Sequence, residues 1–174
     1  MSANGMNKTA SGRPLMPALL DRLTDQEPLR RDESPQARSI SKSAYRKSVL
    51  RDLSWLLNTI NIESNTEFLG AERAQHSVLN FGVPALSGRH LDNTDWQNLE
   101  SELHRAISIF EPRILPDSLR IRALPDAAGQ ASHNRLSLEI KGQLWCEPYP
   151  LELLLHTHLD LECGQVSLEN RSES

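Results

Sequence analysis

Residues 96–123 read WQNLESELHRAISIFEPRILPDSLRIRA, and the spacing of the apolar residues changes within this stretch. Before position 111 apolar residues recur every three or four positions, which predicts an amphipathic helix with one buried stripe. The stripe consists of Trp96, Leu99, Leu103, Ala106, Ile107 and Phe110. From Leu119 onward apolar and polar residues alternate, which predicts a strand with one buried face. The stretch therefore predicts a helix that is followed directly by a strand.

The predicted helix and strand meet at the corner Glu111-Pro112-Arg113. Proline has no N–H, fixes its own φ and biases the preceding residue away from helical geometry, so we expect the helix to end here. A rigid corner then carries one acid and one base, and charges in such a place need partners. One interpretation is an internal salt bridge that fixes the turn. The other is that Glu111 and Arg113 contact another subunit.

Alternation of apolar and polar residues continues in three further segments, at 136–144, 151–162 and 166–168. Each segment predicts a strand with one buried and one solvated face, which is typical of an antiparallel sheet covered on one side. The sheet is therefore expected to have four strands, counting the strand that follows the corner.

Helices are predicted ahead of the sheet as well. A first helix at 43–60 has a stripe at spacings of three and four: Val49, Leu50, Leu53, Leu56, Leu57 and Ile60. A shorter helix is expected at 71–78, and Thr94 with Gln97 matches a capping box at the start of the helix that ends at the corner. Helices first and strands afterwards predict an α+β fold, with the helices packed on one face of a mostly antiparallel β-sheet.

The N-terminal part differs from the rest in composition. We expect a flexible basic arm at 1–44, a domain at 45–170 and a disordered tail at 171–174. Residues 1–48 hold nine Lys and Arg against five Asp and Glu, whereas the remainder holds ten against eighteen. A basic arm on an acidic body indicates that the arm meets an acidic surface.

Within the arm, residues 15–23 form a short apolar patch in a polar setting. The patch is too short to be a stable helix in isolation. We therefore interpret Leu15, Leu19, Leu20 and Leu23 as a docking motif that becomes ordered on the body or on a partner.

Several classes of protein are disfavoured. No apolar run approaches the roughly 18–20 residues that a membrane helix needs, and the first residues lack the apolar stretch of a secretory signal. We expect a cytoplasmic protein without membrane insertion, with Cys146 and Cys163 reduced and at least half-buried. Tyr45 is the only aromatic residue of the basic part, so a stacking platform for nucleic acid is missing.

Catalysis has one candidate residue, because Glu111 is the only acid on a corner that we expect to be rigid. A glycosidase needs one protonated carboxylic acid and a second, ionised carboxylate. The neighbouring Arg113 favours the ionised form of Glu111, which opposes a role as general acid. The sequence also lacks a Gly-rich phosphate loop, a Gly-x-Ser-x-Gly motif and a dinucleotide-binding fingerprint. We expect no catalytic residues and no cofactor.

A metal site has one candidate, in which His156, His158, Asp160 and Glu162 alternate along a predicted strand. Alternate residues of a strand project from the same face, so these side chains form a row. Neighbours in the row are about 6–7 Å apart, whereas a zinc site needs its ligands to converge. We expect a solvated strand face and no metal site.

Seven short segments resemble the phage-wedge "lysozyme-like" baseplate family and, within it, the TssE subunits of the bacterial type VI secretion system. The segments are LMPALLDRL at 15–23, SVLRDLSWLLNT at 48–59, SVLNFGVP at 77–84, LSG at 86–88, IFEPR at 109–113, LSLEIKG at 136–142 and HTHLD at 156–160. Their order and spacing carry the resemblance, which covers residues 15–25 and 45–170.

The resemblance implies a structural baseplate-wedge subunit and not an enzyme, in spite of the lysozyme label. It implies contacts with the TssF, TssG and TssK wedge proteins and with the first ring of the TssB/TssC sheath. It makes Glu111, Pro112 and Arg113 the assembly element, and it implies that strand addition to the sheet helps to start sheath polymerisation. Two alternatives stay open. One is a wedge protein of a contractile phage tail, and the other is a peptidoglycan hydrolase that uses Glu111.

Overall fold

A computed structural model describes residues 13–24, 39–64, 71–87, 93–124 and 135–170. These residues form four α-helices and four β-strands. The helices are α1 (Leu19–Leu23), α2 (Lys42–Leu57), α3 (Glu72–Gln75) and α4 (Asn93–Phe110). The strands are β1 (Arg120–Leu124), β2 (Arg135–Leu144), β3 (Leu151–Asp160) and β4 (Val166–Asn170).

The four strands form one antiparallel sheet in the order β1-β2-β3-β4. The register places Ile121 opposite Ile140 and Ile140 opposite Leu155, and all three side chains are buried. The residues next to them along the strands, such as Glu139 beside Ile140 and His156 beside Leu155, lie on the other face of the sheet, as the alternation predicts. The predicted α+β fold with an antiparallel sheet is confirmed.

The core lies between the helices and one face of the sheet. Helix α2 begins with Ser41 as its N-cap, since the Ser41 hydroxyl accepts a hydrogen bond from the N–H of Ala44 at 3.1 Å. Leu53 on α2, Leu103 on α4 and Leu155 on β3 belong to one continuous buried cluster. Burial of each such side chain contributes roughly 1.5–3 kcal/mol to folding, so this cluster is what holds the helices on the sheet.

Helix α2 ends at Leu57, three residues earlier than predicted, and the expected burial of Ile60 is wrong because that side chain is exposed. Asn58 ends the helix: its backbone leaves helical geometry, while its side-chain amide donates to the carbonyl of Ser54 at 2.8 Å. The chain beyond it forms a parallel bridge between Ile60 and Val83.

The other predicted boundaries are close to the observed ones. The helix expected at 71–78 is one short turn, α3, followed by a 3-10 turn at Val78–Asn80, and β3 ends at Asp160 rather than at 162. The predicted capping box depends on Thr94, whose backbone lies in α4 but whose side chain is not among those that the structure describes.

Gly82 lies where two loops cross. The N–H of Val83 donates to the carbonyl of Thr59 at 2.8 Å, and the N–H of Asn61 donates to the carbonyl of Val83 at 2.9 Å. The φ of Gly82 is 129°, and a Cβ at this position would lie 2.4 Å from the carbonyl oxygen of Thr59. Only glycine allows so close a crossing.

Part of the predicted arm is ordered against the body. Leu15 is buried in the core, and its carbonyl accepts a hydrogen bond from the N–H of Ile40 at 3.0 Å. Residues 1–12 and 25–38 of the arm, and the predicted tail at 171–174, lie outside the described residues.

The two cysteines are free, and they differ in exposure. Cys146 is buried, as predicted, but Cys163 is exposed because it lies in the turn between β3 and β4. No helix in the described part of the chain has the length and apolar character needed to cross a membrane.

Candidate functional site

The Glu-Pro-Arg corner forms as the sequence predicts. Helix α4 ends at Phe110, the N–H of Glu111 still donates to the carbonyl of Ile107 at 2.9 Å, and Pro112 follows outside the helix. The carbonyl of Glu111 accepts from the N–H of Ile114 at 3.1 Å, which closes the turn. Pro112 is exposed at the tip of this turn.

Glu111 and Arg113 form an internal ion pair. Glu111 is only 3% exposed. Nε of Arg113 donates to Glu111 Oε1 at 2.6 Å, Nη2 of Arg113 contacts Oε2, and the backbone N–H of Arg113 donates to Oε1 at 3.2 Å. The internal interpretation of the corner therefore holds for Glu111, whose carboxylate is enclosed by one arginine.

Arg113 also reaches across to helix α2. Its Nη2 donates to Asp52 Oδ2 at 2.6 Å, and its Nη1 donates to Ser48 Oγ at 3.1 Å. Burial alone would lower the pKa of Arg113, but the hydrogen bonds and negative charges of Glu111 and Asp52 outweigh burial and raise that pKa. Arg113 is thus a permanent cation between two carboxylates, with its side chain 21% exposed.

Asp52 connects Arg113 with Arg51, which in turn contacts α1. Its Oδ1 accepts a hydrogen bond from Nε of Arg51 at 2.9 Å, and Arg51 in turn holds both carboxylate oxygens of Asp21 on α1, with Nη2 3.3 Å from Oδ2. Five side chains of alternating charge are therefore in contact, one after the next, and we call them the charge chain. Its members are Glu111, Arg113, Asp52, Arg51 and Asp21.

The outer end of the charge chain is electrostatically matched. The hydrogen bond from Arg51 lowers the pKa of the Asp21 carboxyl, and the hydrogen bond from Asp21 raises the pKa of Arg51. Both side chains are about one-third exposed, so solvent weakens this pair relative to the buried pair at the corner.

The predicted docking leucines separate into two groups. Leu15 is buried in the core, whereas Leu19, Leu20 and Leu23 on α1 are 69%, 48% and 74% exposed. Trp55 on α2 is 49% exposed, and the guanidinium carbon of Arg51 lies 5.0 Å from the centre of its ring. We call the exposed apolar set the α1 surface. It consists of Leu19, Leu20, Leu23 and Trp55.

Trp55 and Trp145 are two features that our reading of the site from the sequence missed. The N–H of Trp145 donates to the carbonyl of Arg113 at 2.8 Å, and the hydroxyl of Tyr45 donates to the carbonyl of Trp145 at 3.1 Å. Burial raises the pKa of Tyr45, which keeps this hydroxyl a donor. Trp145 itself is half-exposed beside the corner. The signal in the sequence was the position of Trp55, which lies outside the apolar stripe of its helix, a position that indicates exposure.

Each edge strand of the sheet is capped by a side chain from a helix. On β4 the N–H of Val166 donates to Asn58 Oδ1 at 2.9 Å, and Asn58 Nδ2 donates to the carbonyl of Val166 at 2.9 Å. On β1 the N–H of Ala123 donates to Glu100 Oε1 at 2.8 Å. Asn58 occupies the position that the peptide group of a further strand would take, so this edge is blocked at its first residue.

The row of side chains that was the candidate for a metal site lies on the solvent side of β3. His158 Nδ1 is 3.1 Å from the hydroxyl of Ser137, and His156 Nε2 is 3.8 Å from a carboxylate oxygen of Glu139. Asp160 instead accepts hydrogen bonds from the N–H groups of the following turn, which lowers the pKa of its carboxyl. These side chains point to separate neighbours, and the described residues contain no cluster of three or more metal-binding side chains.

A cleft of about 380 Å³ lies beside the end of α4, where Phe110 forms part of its wall. Two carboxylates, Glu63 and Glu102, line the cleft, and Glu63 accepts a hydrogen bond from Asn80 at 3.1 Å and lies 3.5 Å from a guanidinium nitrogen of Arg105. Glu111 does not line this cleft. The acid that the sequence singles out for catalysis is therefore not part of this cleft.

A family model described as baseplate wedge protein gp25 matches residues 43–149. The match contains α2, the corner and β2, and it therefore contains four of the five members of the charge chain. It does not contain α1, β3 or β4. No curated protein matches the chain.

Proposed function

The chain belongs to the baseplate wedge protein gp25 family, which has a structural role in the baseplates of phage tail-like systems, and we propose that it is the TssE-type wedge subunit of a type VI secretion system. In this proposal it links the TssF, TssG and TssK wedge proteins to the contractile TssB/TssC sheath and helps to start sheath polymerisation. It works at the inner face of the cytoplasmic membrane, without inserting into it.

The observation that carries the proposal is the family match over residues 43–149, because it includes the Glu-Pro-Arg corner and the helix that contacts it. The resemblance of short segments outside this range, at 15–23 and 156–160, favours a secretion system over a phage tail. The arrangement of the corner supports a structural role, since Glu111 is enclosed by Arg113 and has no access to a substrate.

The α1 surface is the proposed contact with TssF and TssG. Three leucines of α1 and Trp55 of α2 are exposed, and Trp is among the residues that most often dominate binding energy at protein interfaces. Arg22 and Lys47 lie on the same two helices and have no acidic partner among the described residues. This composition suits a partner surface that is apolar at its centre and acidic at its rim.

The corner has two roles in the proposed assembly, one as internal support and one as a contact surface for a partner. Glu111 fixes Arg113, and the exposed ring of Pro112 together with the accessible part of Arg113 is what a partner can touch. Trp145 extends the same surface because its backbone is hydrogen-bonded to Arg113. The proposal therefore assigns the partner contact to Pro112, Arg113 and Trp145, and the internal support to Glu111.

Strand addition is proposed for the outer edge of β4, where the sheath would donate the new strand. Asn58 blocks this edge at Val166, so an incoming strand either begins beyond Val166 or displaces the Asn58 side chain. Asn58→Ala tests the point. We expect sheath polymerisation to start more often than in the wild type, because the edge becomes open.

Co-purification with TssF and TssG tests the proposed function. The double variant Leu19→Glu/Leu23→Glu places charges at two exposed positions, so we expect it to fold normally and to lose the wedge partners. The matched control is Leu79→Glu, because Leu79 is 70% exposed but lies outside the α1 surface. The proposal would be contradicted if the double variant kept both partners. It would also be contradicted if only the control variant, Leu79→Glu, lost them.

A peptidoglycan digestion assay separates the proposed function from the hydrolase alternative. We expect no release of fragments by the purified protein, because the Glu111 carboxylate is buried and paired with Arg113. Turnover that Glu111→Gln abolishes would overturn the structural role.

Genes for sheath and TssF-like proteins next to this one would separate the secretion system from a phage tail.

A further inference from the structure

The corner and α1 are far apart in sequence, and the charge chain joins them. Asp52 is 61 residues from Arg113, and Asp21 is 30 residues from Arg51. We infer that Arg51 and Asp52 are positioning residues through which the Glu-Pro-Arg corner holds α1 in place. The inference rests on the proposed function only in the statement that α1 docks on a partner.

Helix α1 depends on outside contacts for its order. Five residues are too few to form a stable helix in water. Burial does not supply the stability, because Leu19, Leu20 and Leu23 are all exposed and α1 contains no buried residue. The position of α1 is therefore set by its attachments to the body.

The attachments are of two kinds. Ahead of the helix, Leu15 is buried, its carbonyl is bonded to Ile40, and the N–H of Arg13 donates to Glu147 Oε2 at 3.2 Å. Within the helix, Asp21 with Arg51 is the one side-chain attachment to the body among the described residues. The first kind fixes where the segment starts, and the second fixes the direction that α1 takes.

Arg51 in turn depends on Asp52 for its orientation. The two oxygens of Asp52 are divided between two arginines: Oδ1 accepts from Arg51 and Oδ2 accepts from Arg113. Loss of the Asp52 charge would bring two like-charged guanidinium groups together without the anion between them. Arg51 would then be displaced from Asp21, and α1 would lose its attachment.

The arrangement has a consequence for the α1 surface. Arg51 contacts Asp21 on one side and the ring of Trp55 on the other. The same guanidinium therefore connects Asp21 on α1 with Trp55 on α2. A change at the corner alters the shape of a surface that the corner residues do not themselves form.

Hydrogen exchange of the isolated full-length protein tests the inference, because amide exchange reports the opening of a local segment. In Asp52→Asn we expect the amides of residues 19–24 to exchange on the order of fivefold faster, the factor that about 1 kcal/mol of lost ion pairing gives. Amides in α4 and in β2 are expected to keep the wild-type rate. The matched control is Lys47→Gln on the same helix, for which we expect no change in α1.

A double-mutant cycle separates coupling from independent effects. If Asp52 acts through Arg51, the exchange of α1 in Asp21→Asn/Asp52→Asn is no faster than in Asp21→Asn alone. Additive effects of the two substitutions would overturn the inference. If Asp52→Asn does not fold, Arg51→Lys replaces it, since the charge stays but the forked contact with Asp21 is lost. Unchanged exchange of α1 in Arg51→Lys would equally overturn the inference.

The outcome is independent of the proposed function, because no partner is present in the experiment. An Asp52→Asn variant that loses TssF and TssG while its α1 keeps the wild-type exchange would contradict the inference and leave the proposed function standing. The reverse result, fast exchange in α1 with full partner binding, would count against the docking role of α1.

Discussion

Arg113 is the residue on which the corner depends most. Its guanidinium neutralises the buried carboxylate of Glu111 and also contacts Asp52 and Ser48 on α2. Burial of an ion without a partner costs far more than the pair gains, so the charges of the corner must be considered together. Arg113 therefore contributes to the stability of the fold in addition to any contact with a partner.

Arg113→Met is expected to lower the free energy of unfolding by roughly 3–5 kcal/mol, because Glu111 keeps a buried charge and loses its counter-ion. Urea denaturation of the purified variant measures the loss. The control is Arg122→Met on the exposed face of β1, for which we expect a change of about 0.5 kcal/mol or less. Equal losses in the two variants would show that the Glu111–Arg113 pair does not stabilise the fold.

Asp21 predicts a pH dependence of α1. Its pKa is lowered below the ordinary value of 3.8 by the hydrogen bond from Arg51, so the folded state favours the ionised carboxylate. The contribution to α1 attachment is therefore complete above pH 3.8 and is lost as the pH falls through the lowered pKa. NMR signals of residues 19–24 between pH 5 and about pH 2.5 measure the detachment.

Asp21→Asn is the control for this pH dependence. With no carboxyl at position 21, α1 should be less well attached than in the wild type above pH 3.8, and the acid-induced change in its signals should disappear. An acid transition of the same size in Asp21→Asn would assign the effect to another carboxylate.

At the scale of the elements, the helix end at Asn58 and the sheet edge at Val166 are one structural feature. The same side chain stops α2 through the carbonyl of Ser54 and caps β4 through Val166. The sequence predicts a helix end close by, at residue 60, but the pairing of Asn58 with β4 could not be predicted, because it joins residues 108 positions apart. Periodicity reports which face of an element is buried and carries no information on which elements are neighbours.

The crossing at Gly82 predicts unequal effects of two glycine substitutions. A Cβ at Gly82 would lie 2.4 Å from a backbone oxygen, whereas a Cβ at Gly164 would meet its nearest atom at 3.4 Å, an ordinary contact. Both glycines have positive φ, but Gly164 at 69° lies in the left-handed α region, which costs another residue about 1 kcal/mol, whereas Gly82 at 129° lies outside that region, where an alanine is strained further. Gly82→Ala is expected to cost at least about 2 kcal/mol more than Gly164→Ala, because the backbone at the crossing must move.

Thermal or urea unfolding of the two glycine variants tests this expectation. Gly164→Ala serves as the control, since it introduces the same methyl group at a second glycine of positive φ. Equal stability of the two variants would mean that the loops at Thr59 and Val83 separate without cost.

At the scale of the whole molecule, the sequence predicts the α+β fold and most of the core, because helices and strands bury stripes of different period. Leu53, Leu103 and Leu155 are each predicted to be buried from their spacing, and each is buried. The charge chain could not be predicted in this way. Arg51 and Asp52 read as exposed residues of an amphipathic helix, and only the tertiary fold brings them between Asp21 and Arg113.

The N-terminal apolar patch at 15–23 also shows what only the whole molecule determines. From the sequence we interpret Leu15 and Leu23 alike, as members of one patch, but the fold buries Leu15 and exposes Leu23. The gp25 family match begins at residue 43, so α1 is an addition to the part of the chain that the match covers. A baseplate-wedge domain that displays an ordered apolar helix beside its Glu-Pro-Arg corner is the central claim of this account.

A cryo-EM structure of the protein reconstituted with TssF and TssG tests that claim most directly. We expect Leu19, Leu23 and Trp55 to be buried against a partner, with Pro112 and the exposed part of Arg113 in the same interface. A wedge in which these side chains remain exposed to solvent, while TssF and TssG contact another face such as the outer side of β2 and β3, would contradict it.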